Sequence, residues 1–453
     1  MDPITLSELA KMTGATLHRG SAEVLVTTVS KDSRSISHGD LYVALRGENF
    51  DGNAFAADAV ARGAAAVLLD SVEAAAGLDV PVLIAADGLA ALQRLAAAWR
   101  SCLSLKVVCI TGSNGKTTTK EFTAGVLGSC HRVVKTTGNL NNHIGVPLSI
   151  LAATRKDTAA VWEIGMNHAG EIAPLAELAR PDVAIITNIG VAHIEYLGSR
   201  DAIAREKGML AESVSAEGTV ILSSDDDKSP EIAGRSRGRV VLAGLSGGDL
   251  VADSLVESDA GCSFRVVSPT GHYHASIPAN GEHMVKNALL ALAAGLALDV
   301  PIEKAIKGLA STHLVGGRLE RRIIGGVIFL DDTYNASPDS VEAALKTLRA
   351  LPGSGRRIAV LGRMGELGDY AATGYGRAGR SAAGSADILV TVGPEAAAIA
   401  AAARDAGLGR THEVDESIAA ARMLKSLARP GDIVLVKGSR TARMEAVIEH
   451  FKN

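Results

Sequence analysis

Residues Val107 to Glu121 read VVCITGSNGKTTTKE, an apolar run that leads into a glycine-rich turn closing on Gly115-Lys116-Thr117. A nucleoside triphosphate needs backbone N–H groups that can approach phosphate, a helix N-terminus facing the anion, a lysine for the outer phosphates and a hydroxyl for Mg2+. Gly112, Ser113, Asn114, Gly115, Lys116, Thr117 and Thr118 offer these groups in the required order, which makes them candidate ATP-binding residues. The general phosphate-loop pattern has a further glycine five residues before Gly115. Ile110 stands there, so the loop is the tighter T-G-x-x-G-K-T form.

Other polar residues also follow apolar runs. Glu163 comes directly after Ala159 to Trp162, and Asn188 and His193 come after Ala184 to Ile186. A hydroxyl from Thr117 with the Glu163 carboxylate suits Mg2+, a hard cation that takes oxygen ligands. Lys207 lies in the helical-looking stretch Ala202 to Leu210. A plain ammonium repels a metal, and with no relative in view Lys207 reads as a surface helix lysine.

The elements that must position these residues fall into three blocks. Residues 1–85 alternate short strands (Leu25 to Val29, Leu41 to Leu45) with a helix from about Ala54 to Arg62. Residues 86–315 repeat strand, polar turn and helix, with strands predicted at Val107 to Thr111, Ala159 to Glu163, Val183 to Asn188 and Thr219 to Leu222. Residues 316–453 do the same, with strands at Val327 to Leu330, Ile358 to Leu361, Ile388 to Val392 and Ile433 to Val436. Such alternation predicts parallel sheets covered by helices, with ligands at the strands' carboxyl ends. The expected fold is α/β in three domains: a small N-terminal α/β domain, a central P-loop-type domain with a mostly parallel sheet, and a C-terminal Rossmann-like domain. No G-x-G-x-x-G follows any C-terminal strand, which argues against a dinucleotide there.

Composition narrows the class. With 453 residues, 47% hydrophobic and 21% charged, and a net charge of -4, the chain has the make-up of a globular protein with no basic excess for a nucleic acid. Cys102, Cys109, Cys130 and Cys262 show neither C-x-x-C nor zinc spacing, which suits a reducing cytoplasm. The N-terminus lacks the basic and apolar regions of a signal peptide. The longest apolar run, Ala288 to Leu298, is too short to span a bilayer and reads as a buried helix. A cytoplasmic monomer without membrane insertion is expected.

Several longer segments carry a resemblance: DSRSISHGDLYVAL (Asp32 to Leu45), ITGSNGKTTTKE (Ile110 to Glu121), TGNLNNHIGVPLSIL (Thr137 to Leu151), EIGMNHAGEI (Glu163 to Ile172), TNIGVAHIEYLGSRDAIAREKGML (Thr187 to Leu210), HMVKNALLA (His283 to Ala291), GRLE (Gly317 to Glu320), LDDTYNASPDSVEAAL (Leu330 to Leu345) and VLVKGSRTARME (Val434 to Glu445). Over essentially the whole chain it resembles the Mur ligases, ATP-dependent amide-forming enzymes of peptidoglycan precursor synthesis, and within them the dipeptide-adding branch. The resemblance implies transfer of the γ-phosphoryl of ATP to the free carboxylate of a UDP-N-acetylmuramoyl-tripeptide, followed by attack of D-alanyl-D-alanine on the acyl phosphate. By the same resemblance, the residue matching Lys207 is carbamylated, which turns the cation into a carboxylate-like ligand. Thr117, Glu163, His193 and carbamylated Lys207 are then the Mg2+ ligands, and Lys116, Glu163, His193 and Lys207 the catalytic set. ATP would also meet His283, Asn287, Arg318 and Asp332; the UDP-substrate Ser33, Arg34, Gly47, Asn139 and Asn142; and the amino-substrate Asn335, Ser337, Lys437 and Arg440.

Three residues depart from what the resemblance leads one to expect. Arg363 stands in place of an acidic residue, Tyr375 in place of a histidine, and Asn53 where relatives often carry histidine. Rival readings are another ligase of the superfamily, adding the third peptide residue or polyglutamate, a P-loop ATPase or GTP-binding switch, and a non-catalytic relative. The D-N-P-R segment of diaminopimelate-type adders has no counterpart arginine in Tyr334 to Pro338, and no N/T-K-x-D guanine signature appears.

Overall fold

The computed structural model describes residues 1–452. Contacts gather the chain into two compact units: one of residues 1–109, 131–166 and 170–182, the other of residues 110–130 and 167–169 and the chain from Val183 onward.

The first unit opens with a five-stranded sheet of β1 (Thr16–Arg19), β2 (Thr28–Ser30), β3 (Asp40–Val43), β4 (Ala66–Leu69) and β5 (Val82–Ile84), in the order β1-β5-β4-β3-β2. β2 to β5 pair in parallel and β1 joins β5 antiparallel. β3 and β4 are buried along their whole length, which is why both are apolar runs rather than alternating ones, save for Asp40 at the start of β3, whose carboxylate accepts from Ser37 N at 2.8 Å. The expected strand Leu25 to Val29 is in fact two. Leu25–Val26 pairs with Ile4–Thr5, and at Thr27 the backbone N–H turns to Gly39 O before β2 begins.

Helix α1 (Gly88–Ser101) follows, its N-terminus capped by the Asp87 carboxylate, which accepts from Ala90 N at 3.0 Å. Trp99 on α1 is fully buried, and its indole N–H finds Ala153 O at 2.9 Å, so the ring is placed without an unsatisfied donor. Beyond it, β6 (Lys106–Thr111), β7 (Val133–Lys135) and β8 (Ala159–Glu163) lie in the order β7-β8-β6. The boundary between the two units falls within β6, after Cys109.

In the second unit, β9 (Val183–Ile186), β10 (Thr219–Ser223), β11 (Arg239–Gly244), β12 (Leu250–Ser258), β13 (Gly261–Ser268) and β14 (Gly271–Ile277) are neighbours in chain order. β9 to β12 pair in parallel; β12, β13 and β14 are antiparallel. These two hairpins were not expected from the repeating strand-turn-helix pattern. Their residues alternate between buried and exposed, as in a sheet with one wet face. Helices α2 (Lys116–Gly128), α3 (Arg200–Glu212) and α4 (Glu282–Ala297) cover this part, and α4 is buried almost all round, as the apolar run ending at Leu298 predicts.

The C-terminal sheet comprises β15 (Glu320–Ile324), β16 (Val327–Asp332), β17 (Arg357–Leu361), β18 (Ile388–Val392), β19 (Thr411–Val414) and β20 (Ile433–Lys437), in the order β15-β16-β20-β17-β18-β19. All pairs are parallel except β15 with β16. The last strand thus inserts between β16 and β17, and the register sets Asp332 opposite Lys437. Helices α5 (Pro338–Ala350) and α6 (Ala371–Ser385) belong to this part. Among the described residues no helix is long and apolar enough to cross a membrane, and the four cysteines are unpaired.

Candidate active site

The phosphate loop is built from two glycines that no other residue replaces without strain. Gly112 has φ 146°, and a Cβ there would lie 1.8 Å from Thr187 Oγ1. Gly115 has φ 81° at the N-terminus of α2, and its Cβ would meet Asn287 Oδ1 at 2.5 Å. The segment after β9 braces this loop. Thr187 Oγ1 donates to Asn114 O at 2.6 Å, Ser113 N donates to Asn188 O at 2.9 Å, Asn114 N donates to Asn188 Oδ1 at 3.0 Å, and Gly190 N donates to Ser113 Oγ at 2.9 Å. Lys116 Nζ turns back over the loop to Gly112 O at 2.7 Å.

Gly112→Ala should therefore displace Thr187 and open the cradle. We expect ADP affinity to fall at least tenfold while the melting temperature drops by only a few degrees, since strain of this kind costs about 1–3 kcal/mol. Calorimetric ADP binding checks it; unchanged affinity would show that this loop does not hold phosphate.

Arg318 reaches the same loop, donating from Nη2 to Thr117 Oγ1 at 3.0 Å, with its guanidinium stacked 4.1 Å from the Tyr334 ring centroid. Asn287, buried on α4, sits against Gly115. At the C-terminal sheet, Lys437 Nζ pairs with Asp332 at 2.6 Å and also donates to Asn335 O at 2.9 Å. His283 feels both charges. Burial pushes its imidazole down to about 4, the Lys437 and Lys286 cations push the same way, and Asp332 opposes them, so His283 is neutral at physiological pH.

Lys207 is not the surface lysine that the bare sequence suggests. It lies on α3 with no exposed surface, and its Nζ has no hydrogen-bond partner. Burial, reinforced by the nearby Lys116 cation and opposed by Glu206, holds its amine well below the usual lysine range. His193 adopts a left-handed φ of 64°, and its Nδ1 lies 2.6 Å from Glu366 Oε2. That contact, with burial opposing it, holds the Glu366 carboxyl below its ordinary range.

In the first unit, Glu163 is buried and its Oε1 accepts from Asn141 Nδ2 at 2.8 Å. Asn141 is a partner of Glu163 that the sequence did not point to; Asn139 and Asn142 of the same segment are the residues expected to meet the UDP-substrate. Asn142 Oδ1 accepts from Gly145 N at 2.9 Å at the start of a helical turn, and Asn139 is exposed. Ser33 is buried in a short turn, and Arg34 is exposed and forks onto Asp32, which it draws down to about 2. Gly47 packs against the Phe50 ring. Asn53 bridges Asp51 and Asp70, both at 2.6 Å from Nδ2, beside the Arg46–Asp70 ion pair.

Of the residues expected to meet the amino-substrate, Ser337 caps α5 and donates to Asn114 Oδ1 at 2.9 Å, while Asn335 and Arg440 are exposed. Arg363 points to Glu395 at 3.7 Å, and the Tyr375 hydroxyl holds both N and O of Met364. Among the described residues, no group of three or more His, Cys, Asp or Glu side chains is arranged to hold a metal. The expected metal set contains only two such residues, Glu163 and His193.

The chain matches three family models: Mur ligase family, catalytic domain over residues 25–100, Mur ligase middle domain over 110–295, and Mur ligase, glutamate ligase domain over 317–440. It is 35% identical to the UDP-N-acetylmuramoyl-tripeptide–D-alanyl-D-alanine ligase of Escherichia coli (strain K12), covering 99% of this chain and 98% of that one. The chain belongs to the Mur ligase family. The ligase of the same description from Bacillus subtilis (strain 168) is 36% identical, covering 98% of this chain and 97% of the relative. Among solved Mur ligases, MurF from Acinetobacter baumannii superposes with a TM-score of 0.91 at 33% identity, over 100% of this chain and 99% of that one. MurF from Thermotoga maritima, described in complex with ADP, gives 0.83 at 28% identity, over 94% and 97%. The three-domain α/β architecture expected of a Mur ligase is therefore the one this chain has.

Proposed function

We propose that this Mur ligase joins D-alanyl-D-alanine to the free carboxylate of UDP-N-acetylmuramoyl-tripeptide, giving the pentapeptide precursor of peptidoglycan, ADP and phosphate. The observation that carries the reading is the braced phosphate loop with Arg318 on Thr117, in a chain aligned end to end with ligases of that name. A carboxylate is a poor electrophile, so one of its oxygens first takes the γ-phosphoryl group. The amine then attacks the acyl carbon, loses a proton, and phosphate leaves as the amide forms.

Lys116 and the N–H groups of the loop neutralise phosphoryl charge, and Arg318 steadies Thr117 beside it. His283, Asn287 and Asp332 take the nucleoside side of ATP. Ser33, Arg34, Gly47, Asn139 and Asn142 serve the UDP end within residues 1–85 and the 137–142 segment. Asn335, Ser337, Lys437 and Arg440 serve the dipeptide within 316–453, and residues 86–315 carry the ATP chemistry.

Thr117, Glu163, His193 and a carbamate on Lys207 would hold Mg2+, which supplies charge neutralisation at the transferring phosphoryl oxygens. The unpartnered, fully buried Nζ of Lys207 fits that modification. A neutral amine adds to CO2 with formation of one N–C bond and release of one proton, and a carbamate oxygen can use a position that an ammonium cannot. We infer a cytoplasmic enzyme, a reading that the nucleotide-linked substrate and the four free cysteines support.

Phosphate release by the purified protein tests the reading, with ATP, Mg2+, the Lys- or diaminopimelate-containing nucleotide tripeptide, and D-alanyl-D-alanine, D-alanine, L-lysine or diaminopimelate. Release is expected only when a tripeptide and the dipeptide are both present. Preference for any single amino acid would overturn the assignment of the dipeptide and leave an ATP-dependent ligase.

A further inference from the structure

The segment from Ile189 to Glu195 carries His193 and has no regular structure before the short helix Ile194–Leu197. Two acidic residues of the C-terminal part grip it at separate points. Asp339, in the first turn of α5, accepts from Val191 N through Oδ2 at 2.8 Å, and its other oxygen is held by Arg377 Nη2 at 3.0 Å. Arg377 also forks onto Glu342, so the Asp339 carboxylate is fixed from behind. Glu366, in the loop after β17, brings Oε2 to 2.6 Å from His193 Nδ1, an ion-pair contact whose angle is not that of an aligned hydrogen bond, and accepts from Glu195 N at 3.3 Å through its carbonyl.

The second grip is rigid on both sides. Glu366 has φ 59° and His193 has φ 64°, left-handed values that residues with a Cβ hold only when the surroundings demand them. Tyr375, the residue that replaces an expected histidine, pins Met364 by both backbone groups two positions before Glu366. Gly368 packs its Cα face on Glu195 two positions after it.

We propose that Glu366 and Asp339 are positioning residues through which the C-terminal part clamps the His193 segment, engaging Nδ1 so that Nε2 is the nitrogen left to ligate the metal. The inference rests on the assignment of His193 as a metal ligand under the proposed function. A carboxylate behind a ligating imidazole fixes its ring orientation and tautomer, and its loss commonly lowers metal affinity or activity about 10–100-fold. Because both carboxylates come from the C-terminal part, the metal site would be competent only while that part is docked.

The probe is Mn2+, titrated into the full-length protein with ADP and followed by the electron paramagnetic resonance of the free ion. Glu366→Gln should weaken Mn2+ binding about tenfold or more, shift the His193 Nδ1 resonance of metal-free, 15N-histidine-labelled protein, and lower kcat while leaving the KM for D-alanyl-D-alanine within about twofold. Asp339→Ala, which leaves Arg377 paired with Glu342, should weaken Mn2+ binding in the same direction and serves if Glu366→Gln melts early. Glu366→Gln with Mn2+ affinity and kcat within twofold of wild type would overturn the clamp, as would His193→Ala with unchanged Mn2+ affinity. Wild-type protein whose Mn2+ affinity depends on His193 and Glu366 yet shows no ligase activity would support the clamp and sink the substrate assignment instead.

Discussion

Lys116→Ala should fold like the wild type and lose about 10^3-fold or more of its ligase rate at saturating ATP, the loss expected when a charge aimed at a developing phosphoryl or oxyanion centre is removed. The residue stands on the first turn of α2 with its Nζ 2.7 Å from Gly112 O, so the charge is already held over the loop. Its removal takes the bonds to Gly112 O and Ser113 O, the second a long one at 3.4 Å, from a loop otherwise braced by Thr187, Asn188 and Gly190. The melting temperature should therefore shift by no more than about 5 °C, the scale of a loss of about 1 kcal/mol. Steady-state phosphate release and a thermal melt measure both quantities. Turnover within tenfold of wild type would remove the phosphate-cradle assignment.

The second large effect is expected at Lys207. Lys207→Ala should be inactive to a similar degree and partly restored by formate or acetate, small carboxylates that enter the vacated space and return the anion. Lys207→Met, which keeps the volume without the amine, should be equally inactive and beyond rescue. Carbon-13 NMR of wild-type protein under 13CO2 with Mg-ATP should show a carbamate resonance that Lys207→Met lacks. Its absence from active protein would refute the modification.

The two variants also separate stability from activity. The buried amine stays neutral when folded and binds a proton when unfolded, so the unfolded state binds more protons between the depressed folded value and the ordinary lysine value of about 10.4. In metal-free, CO2-depleted protein, stability should therefore rise with pH across that window, and Lys207→Met should remove that part of the slope. Urea unfolding of both proteins at a series of pH values measures the difference.

Much of this molecule was legible before any coordinates. The phosphate loop could be read because its chemistry is local: strand, glycines, lysine and helix follow one another within fifteen residues. The parallel strands β3, β4, β17, β18 and β20 announced themselves as mostly apolar runs, since burial on both faces favours apolar side chains, with Asp40 and Lys437 as buried charged residues at strand ends. The hairpins of β12 to β14 were missed although their alternation was present, because the strand-helix rhythm on either side dominated the reading.

What the residues alone determined, then, is the class of chemistry and the family: segments whose function depends on near neighbours in the chain keep their signal in the order of the letters. Tertiary structure alone decided the partners. Lys207 is a surface lysine or a buried, unpartnered amine depending on what packs over α3. Asn141 meets Glu163 across 22 positions of chain, a contact that the order of the residues does not announce. Lys437 faces Asp332 only because the last strand inserts between β16 and β17. Glu366 reaches His193 across 173 positions of chain, a pairing set by two strained loops that no spacing rule encodes. Side-chain desolvation and charge pairing depend on distance in space, and a linear pattern carries that distance only within a turn or two of helix or along a strand.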